Sequence, residues 1–263
     1  MGWVVRAVAV AALAFVSVPT LIVLISSLGG EGALSFPPDT VSLSAYGDLL
    51  GDPVLRSALF RSVLLGLMCV AFAAIPGVLA ALALYRHRVR FRGVLSGILT
   101  LGLATPLVVS GMAFLLVYTS VGAIGELWPI AVAITTVNFP ILLFAVASSI
   151  SNLNPELDDA AATLGAEEVQ RFLFVTFPAI LPGILTGLFM MFVLGMGEFL
   201  ITMILSTVDN QTLPVVMFGS LRGAVSGTLA AGGGIYILVS LVAVFLVSRW
   251  RSIDDVLARP DQP

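Results

Sequence analysis

A chain of 263 residues that is 59% hydrophobic and only 10% charged, with a mean hydropathy of +1.11, is no ordinary water-soluble domain, whose charged share is about 25%. All twelve basic residues are arginine, which excludes both a phosphate-gripping G-x-x-x-x-G-K-[ST] loop and lysine Schiff-base chemistry. A net charge of −3, one cysteine (Cys69) and one histidine (His87, set among Arg86, Arg88, Arg90 and Arg92) leave no nucleic-acid footprint, no internal disulfide and no metal site.

Along the chain, the first apolar run, Ala7 to Leu28, follows Arg6 and is longer than the roughly 7 to 15 residues of a signal-peptide core, which predicts an uncleaved helix. Gly29 to Arg61 reads as an external loop carrying Pro37, Pro38 and Asp39, with a short surface helix within Ser44 to Leu59. Further runs at Val63–Tyr85, Val94–Thr119, Trp128–Ile150, Ile180–Ser206 and Thr228–Ser248 approach or exceed the roughly 20 residues that cross about 30 Å of hydrocarbon. The count is six spans in one membrane domain, 1–263.

Arginine placement sets the orientation, because cytoplasmic loops retain positive charge. Arg6, the 86–92 cluster, Arg171 and the Arg249, Arg251 and Arg259 tail fall on one side, against Arg56, Arg61 and Arg222 on the other. Both termini and the 151–177 loop are thereby expected in the cytoplasm. Pro76-Gly77, Pro106, Pro129, Pro140 and Pro182-Gly183 punctuate the spans, as neighbouring helices permit. Tyr118, Trp128 and Trp250 stand near span ends as interfacial anchors, and Ala230-Ala231-Gly232-Gly233-Gly234 permits close helix contact.

Within the 151–177 loop the chain reads Asn154-Pro155-Glu156-Leu157-Asp158-Asp159-Ala160-Ala161-Ala162-Thr163-Leu164-Gly165. Asparagine then proline is a helix start, and Glu156, Asp158 and Asp159 place negative charge at the positive end of the helix dipole. The three alanines favour helix with low relief, and Gly165 supplies the left-handed stop. The spacing resembles the signature of the permease family of binding-protein-dependent ABC importers: E-A-A, three residues, G, nine residues, then I-x-L-P. Here it is met by Asp159-Ala160-Ala161, Gly165 and Val175-Thr176-Phe177-Pro178, with three conservative departures.

The resemblance covers roughly residues 59–248 and implies an all-α, type I ABC importer permease fold in the plasma (inner) membrane of a prokaryote. It implies that the loop is a coupling helix, with Asp159, Ala160, Ala161, Gly165 and Pro178 at the contact with a cytoplasmic ABC ATPase dimer. That dimer would hold ATP and Mg, with no cofactor in this chain. The remaining implied partners are a second permease, identical or homologous, and an extracytoplasmic solute-binding protein.

Glu198 is the only acidic residue deep within an apolar run, where an ionisable group is expensive. Read as a continuous helix, Gly187, Met191, Leu194, Glu198 and Thr202 share one face. Glu198, Thr202 and Met191 are therefore candidates for the substrate route or gate; the alternative is that Glu198 hydrogen-bonds a broken helix or a partner subunit. Gly197-Glu198-Phe199 with Thr212-Leu213-Pro214 looks most like the polyamine-type permeases, while glycine-glutamate-phenylalanine also appears in molybdate and sulfate permeases. The expected solute is a polyamine, with an oxyanion, iron, sugar or aminophosphonate as alternatives. The rival class, an ion-gradient-driven secondary transporter, commonly carries several ionisable groups inside the membrane, where this chain carries one.

Overall fold

The computed structural model describes residues 2–30, 35–86, 89–221 and 226–257. His87, Arg88, Arg222 and Arg259 lie outside them, as do the side chains of Arg249, Trp250 and Arg251. The described chain is all-α, and Gly29 and Val41 form an isolated antiparallel bridge. In chain order the helices are α1 (Gly2–Ser26), α2 (Ser44–Gly51), α3 (Pro53–Tyr85), α4 (Arg92–Ala104), α5 (Leu107–Ser120) and α6 (Leu127–Ser151). There follow α7 (Pro155–Thr163), α8 (Glu168–Arg171), a π turn at Phe172–Thr176, α9 (Phe177–Gly197), α10 (Leu200–Leu205), α11 (Leu213–Ser220) and α12 (Gly227–Leu257).

Four helices among the described residues are long and apolar enough to cross a membrane: α1, α3, α6 and the continuous run Glu168–Gly197. α4 and α5 make a fifth if counted together, and the apolar part of α12, Gly227–Val242, is shorter. Two expected spans are corrected. Val94–Thr119 is not one helix but α4 and α5 bent by 101°, because Pro106 offers no N–H and pushes Thr105 to an extended ψ of 130°. Ile180–Ser206 is likewise interrupted, at Glu198. α3 begins earlier than expected, since Asp52 Oδ1 accepts from the amides of Val54 and Leu55 and Pro53 starts the helix.

One compact unit comprises residues 1–60 and 212–242. Ala45 and Leu49 of α2 pack with Ala231 of α12 there, and the Ser27 hydroxyl meets the Tyr46 hydroxyl at 2.8 Å. The small-residue stretch of α12 does allow close contact: a Cβ at Gly232 would come 2.8 Å from the Met217 sulfur.

The other unit is built on residues 61–211. α6 is its centre, buried on several faces from Pro129 to Ile150, as an apolar helix surrounded by others must be. In lipid the hydrophobic effect does not drive helices together, so close approach of small residues carries the packing. Gly183 and Gly187, four apart on α9, supply it: a Cβ at Gly183 would lie 2.7 Å from the Ala145 carbonyl, and one at Gly187 2.5 Å from Leu142 Cδ1. α9 meets α3 the same way, with Gly195 against Cys69 and Gly66. Tyr118, expected at the membrane interface, is instead buried in the core and stacked on Phe114 at 5.6 Å, while Trp128 is 47% exposed.

Candidate functional site

The motif-bearing helix α7 is shaped at both ends by its own residues. Asn154 takes an extended backbone, its Oδ1 accepts the Glu156 amide at 3.0 Å, and Pro155 occupies the first turn. At the far end Gly165 adopts φ +85°, the Gly165 amide donates to Ala162 O at 3.0 Å and the Ala166 amide to Ala161 O at 3.1 Å. This pair of bonds is the Schellman closure, which favours glycine at the left-handed position. Two residues on, Glu167 and Gln170 form a reciprocal capping box that starts α8. The chain therefore makes a rigid helix, a tight reversal and a second helix that runs through the π turn into α9.

Asp159, Ala160 and Gly165 are exposed and Ala161 is half-buried, with Asp159 also on the wall of a cavity of about 670 Å³ that Asp158 shares. Pro178, second residue of α9 and exposed, stands beyond α8 and the π turn, apart from the other four. Two further residues belong on the outer face: Leu157, 57% exposed, and Leu164, 88% exposed, share Ala160's side of the helix at spacings of three and four. An isolated capped helix has no reason to hold leucines in water. That spacing was readable in the sequence, but only the exposures say which face is free.

The second candidate region lies at the break after α9. Glu198 has an extended backbone, and its carboxylate accepts from the amides of Ile201 and Thr202, both at 2.9 Å, and from the Thr202 hydroxyl at 3.0 Å. Negative charge thus sits on the free amides that open α10. Thr202 is fully buried, and Met191 is enclosed in the core formed with Leu142, Leu143 and Ile180. The five-residue face expected from Gly187 to Thr202 is corrected: the helix stops at Gly197, and Gly187 and Met191 turn into the core.

What opens at the break is a cavity of about 370 Å³ whose walls include Leu107, Asn138, Gly197, Glu198, Phe199 and Leu200. Leu107 is the first residue after the 101° bend and Glu198 lies at the other interruption, so both broken helices end on one space. Non-helical backbone at membrane depth is tolerated where it lines such a cavity. Among the described residues no group of His, Cys, Asp and Glu side chains has the arrangement to hold a metal ion.

The family model described as "Binding-protein-dependent transport system inner membrane component" matches residues 73–250. The chain belongs to this family. Among its relatives, the putrescine transport system permease protein PotI of Escherichia coli (strain K12) is 30% identical over 218 residues, covering 78% of this chain and 76% of that protein. The spermidine/putrescine transport system permease protein PotC of Haemophilus influenzae is 27% identical over 201 residues, covering 76% and 78%.

The permease fold is also seen in solved structures. A chain of a bacterial ABC transporter involved in the import of the acidic polysaccharide alginate superposes with a TM-score of 0.65 at 19% identity, covering 95% of this chain and 94% of that one. A chain of the inward-facing MetNI methionine ABC transporter gives 0.64 at 16% identity, covering 74% and 94%. The family expected from the loop motif is the family found. This permease is an inner-membrane, non-catalytic subunit of an ABC importer, and ATP is hydrolysed by a partner.

Proposed function

We propose that this permease forms the translocation route for a small cationic solute of the polyamine class and takes its drive from an ATPase seated on α7. The partners in this reading are an ATPase dimer that holds ATP and Mg, a second permease, identical or homologous, and an extracytoplasmic binding protein. Asp159, Ala160, Ala161 and Gly165 form the seat with Leu157 and Leu164, and Pro178 fixes where the hairpin returns to the membrane. Six spans with cytoplasmic termini complete the reading, supported by the arginine asymmetry.

The observation that carries the solute assignment is the meeting of two helix breaks on a cavity walled by Glu198. A carboxylate offers about four acceptor positions, and three here are taken by Ile201 and Thr202. One acceptor position remains for an ammonium group. Thr202 fixes the carboxylate from behind, and Met191 fills the core that supports it. The names of the bacterial relatives, putrescine and spermidine/putrescine permeases, point to the same class of solute.

The decisive experiment is ATP-dependent uptake of labelled putrescine into proteoliposomes holding the complete transporter and its binding protein. Saturable uptake is expected, with KM raised about tenfold in Glu198→Gln at little change in kcat, as loss of uniform binding requires. A binding protein that takes up an anion and ignores putrescine and spermidine would remove the polyamine assignment. If Glu198→Gln lowers thermal stability and leaves KM unchanged, Glu198 acts only as the cap of α10.

A further inference from the structure

Beside the motif lies a charged cluster centred on a residue that the seat does not use. Asp158 precedes the Asp159-Ala160-Ala161 element and is less exposed than Asp159 and Ala160. Its carboxylate is divided between two arginines: Oδ1 lies 3.3 Å from Arg86 Nη2, and Oδ2 accepts a hydrogen bond from Arg171 Nη1 at 3.3 Å. Arg86 directly follows the last residue of α3. Arg171 is the last residue of α8 and continues through the π turn into α9. One carboxylate on α7 therefore spans the ends of two membrane helices.

α7 is joined to α6 by the short link 152–154 and to α8 by 164–167, but no short covalent link ties it to α3. The apolar core that joins Leu82 and Tyr85 of α3 to Phe172 of the π turn includes no side chain of α7. A cavity of about 670 Å³ lies beside it, with walls that include Leu82 and Tyr85 of α3, Asp158 and Asp159 of α7, and Phe172 of the π turn. The bridge across it has slack. Asp158 Oδ1 is enclosed and faces Arg86 by charge without hydrogen-bond alignment, and Arg171 Nε is enclosed without an acceptor. A guanidinium presents parallel donors to a carboxylate, so a second arrangement is available in which both Asp158 oxygens sit on Arg171 and Arg86 is released.

We infer that Asp158 is a positioning residue, a clamp that delivers the displacement of α7 to α3 and α9 together. The inference rests on the reading of α7 as the ATPase seat. Coupling elements need discrete alternative contacts rather than a continuous spring, and the shared carboxylate supplies two.

The test uses the complete transporter in a Cys69→Ala background, with spin labels on Thr163 of α7 and Leu79 of α3, both exposed. In the parent, ATP is expected to shift the α7-to-α3 distance distribution between two narrow positions. Asp158→Asn is expected to broaden that distribution and to cut labelled putrescine moved per ATP about five- to tenfold, within the usual range of coupling between sites. Co-purification of the ATPase should be unchanged. Asp158→Glu keeps both readouts, and the exchange Arg86→Asp with Asp158→Arg restores part of the loss. Should Asp158→Asn fold poorly, Arg86→Gln breaks the same bridge from the other side.

A parental distance shift in both Asp158→Asn and Arg86→Gln would overturn the clamp. Ala160→Arg keeps the two hypotheses apart. If it uncouples while the clamp variants behave as the parent, the seat stands and the clamp falls. If Ala160→Arg also behaves as the parent, the seat falls and the clamp with it.

Discussion

Replacing Gly165 by asparagine, alanine and valine in turn separates the backbone's contribution to coupling from that of any side chain. A Cβ at Gly165 would meet nothing within 4 Å in this chain, so the substitution creates no clash inside the permease. The cost is conformational. At φ +85° an L-residue loses about 1–2 kcal/mol relative to glycine, asparagine less, and a β-branched residue most. Since about 1.4 kcal/mol is a tenfold change in a population, alanine should reduce the closed reversal several-fold and valine more than about tenfold. Opening the reversal forfeits the Gly165-to-Ala162 and Ala166-to-Ala161 bonds and lets α7 pivot about α8. In proteoliposomes, solute moved per ATP should fall in the order glycine, asparagine, alanine, valine, while the amount of inserted permease stays constant. Equal losses with asparagine and valine would refute the backbone argument and place the fault in side-chain bulk at the seat. Parental coupling in valine would show that the reversal is not needed.

The outer face of α7 gives a second expectation: Leu164→Asp, at a position 88% exposed, should weaken ATPase co-purification with no loss of insertion, measured by pull-down from membranes. In the core of the larger unit, Gly183→Leu forces a Cβ to 2.7 Å from the Ala145 carbonyl and should cost about 1–3 kcal/mol, read as a lower unfolding temperature in detergent. Gly187→Val should add to it less than fully, since both substitutions push α9 from the same part of α6. At the α9 break, Glu198→Ala leaves the Ile201 and Thr202 amides and the Thr202 hydroxyl without their acceptor, and should destabilise more than Glu198→Gln, which keeps one oxygen.

The hairpin around α7 was legible because its determinants are local. Asn154, Pro155 and Gly165 act within a few residues of themselves, and cap, first turn and left-handed stop appear where their chemistry puts them. The membrane class was legible for an equally simple reason, since runs such as Leu127–Ser151 are too apolar for water. The breaks were not. Pro106 and Pro140 look alike in sequence, yet α6 runs through Pro140 while the chain turns 101° at Pro106, because tertiary packing decides whether a freed carbonyl is re-satisfied. Glu198 admits two readings in the sequence, a residue of the substrate route or a group that hydrogen-bonds a broken helix; the geometry shows the helix ending there, with the carboxylate taking over the amides that open the next one. The pairing of Asp158 with Arg86 and Arg171 is a contact between distant parts of the chain, which composition and spacing do not encode.

The π turn at Phe172–Thr176 gives the motif's fixed residue count a meaning of its own. The Phe177 amide reaches back to Phe172 O, so the turn holds about one residue more than an α-helix would. Each α-helical residue advances the azimuth by about 100°. A π turn takes that extra residue within a single turn, so the ends of the Glu168–Gly197 helix keep nearly the facing that an uninterrupted α-helix one residue shorter would give them. Arg171 thus reaches Asp158 while Gly183 and Gly187 face α6. The turn is then an allowance for chain length: one deletion inside 172–176 would heal the ladder and leave both faces nearly where they are, whereas a second, with no wide turn left to absorb it, would rotate one against the other by about 100° without touching any contact residue.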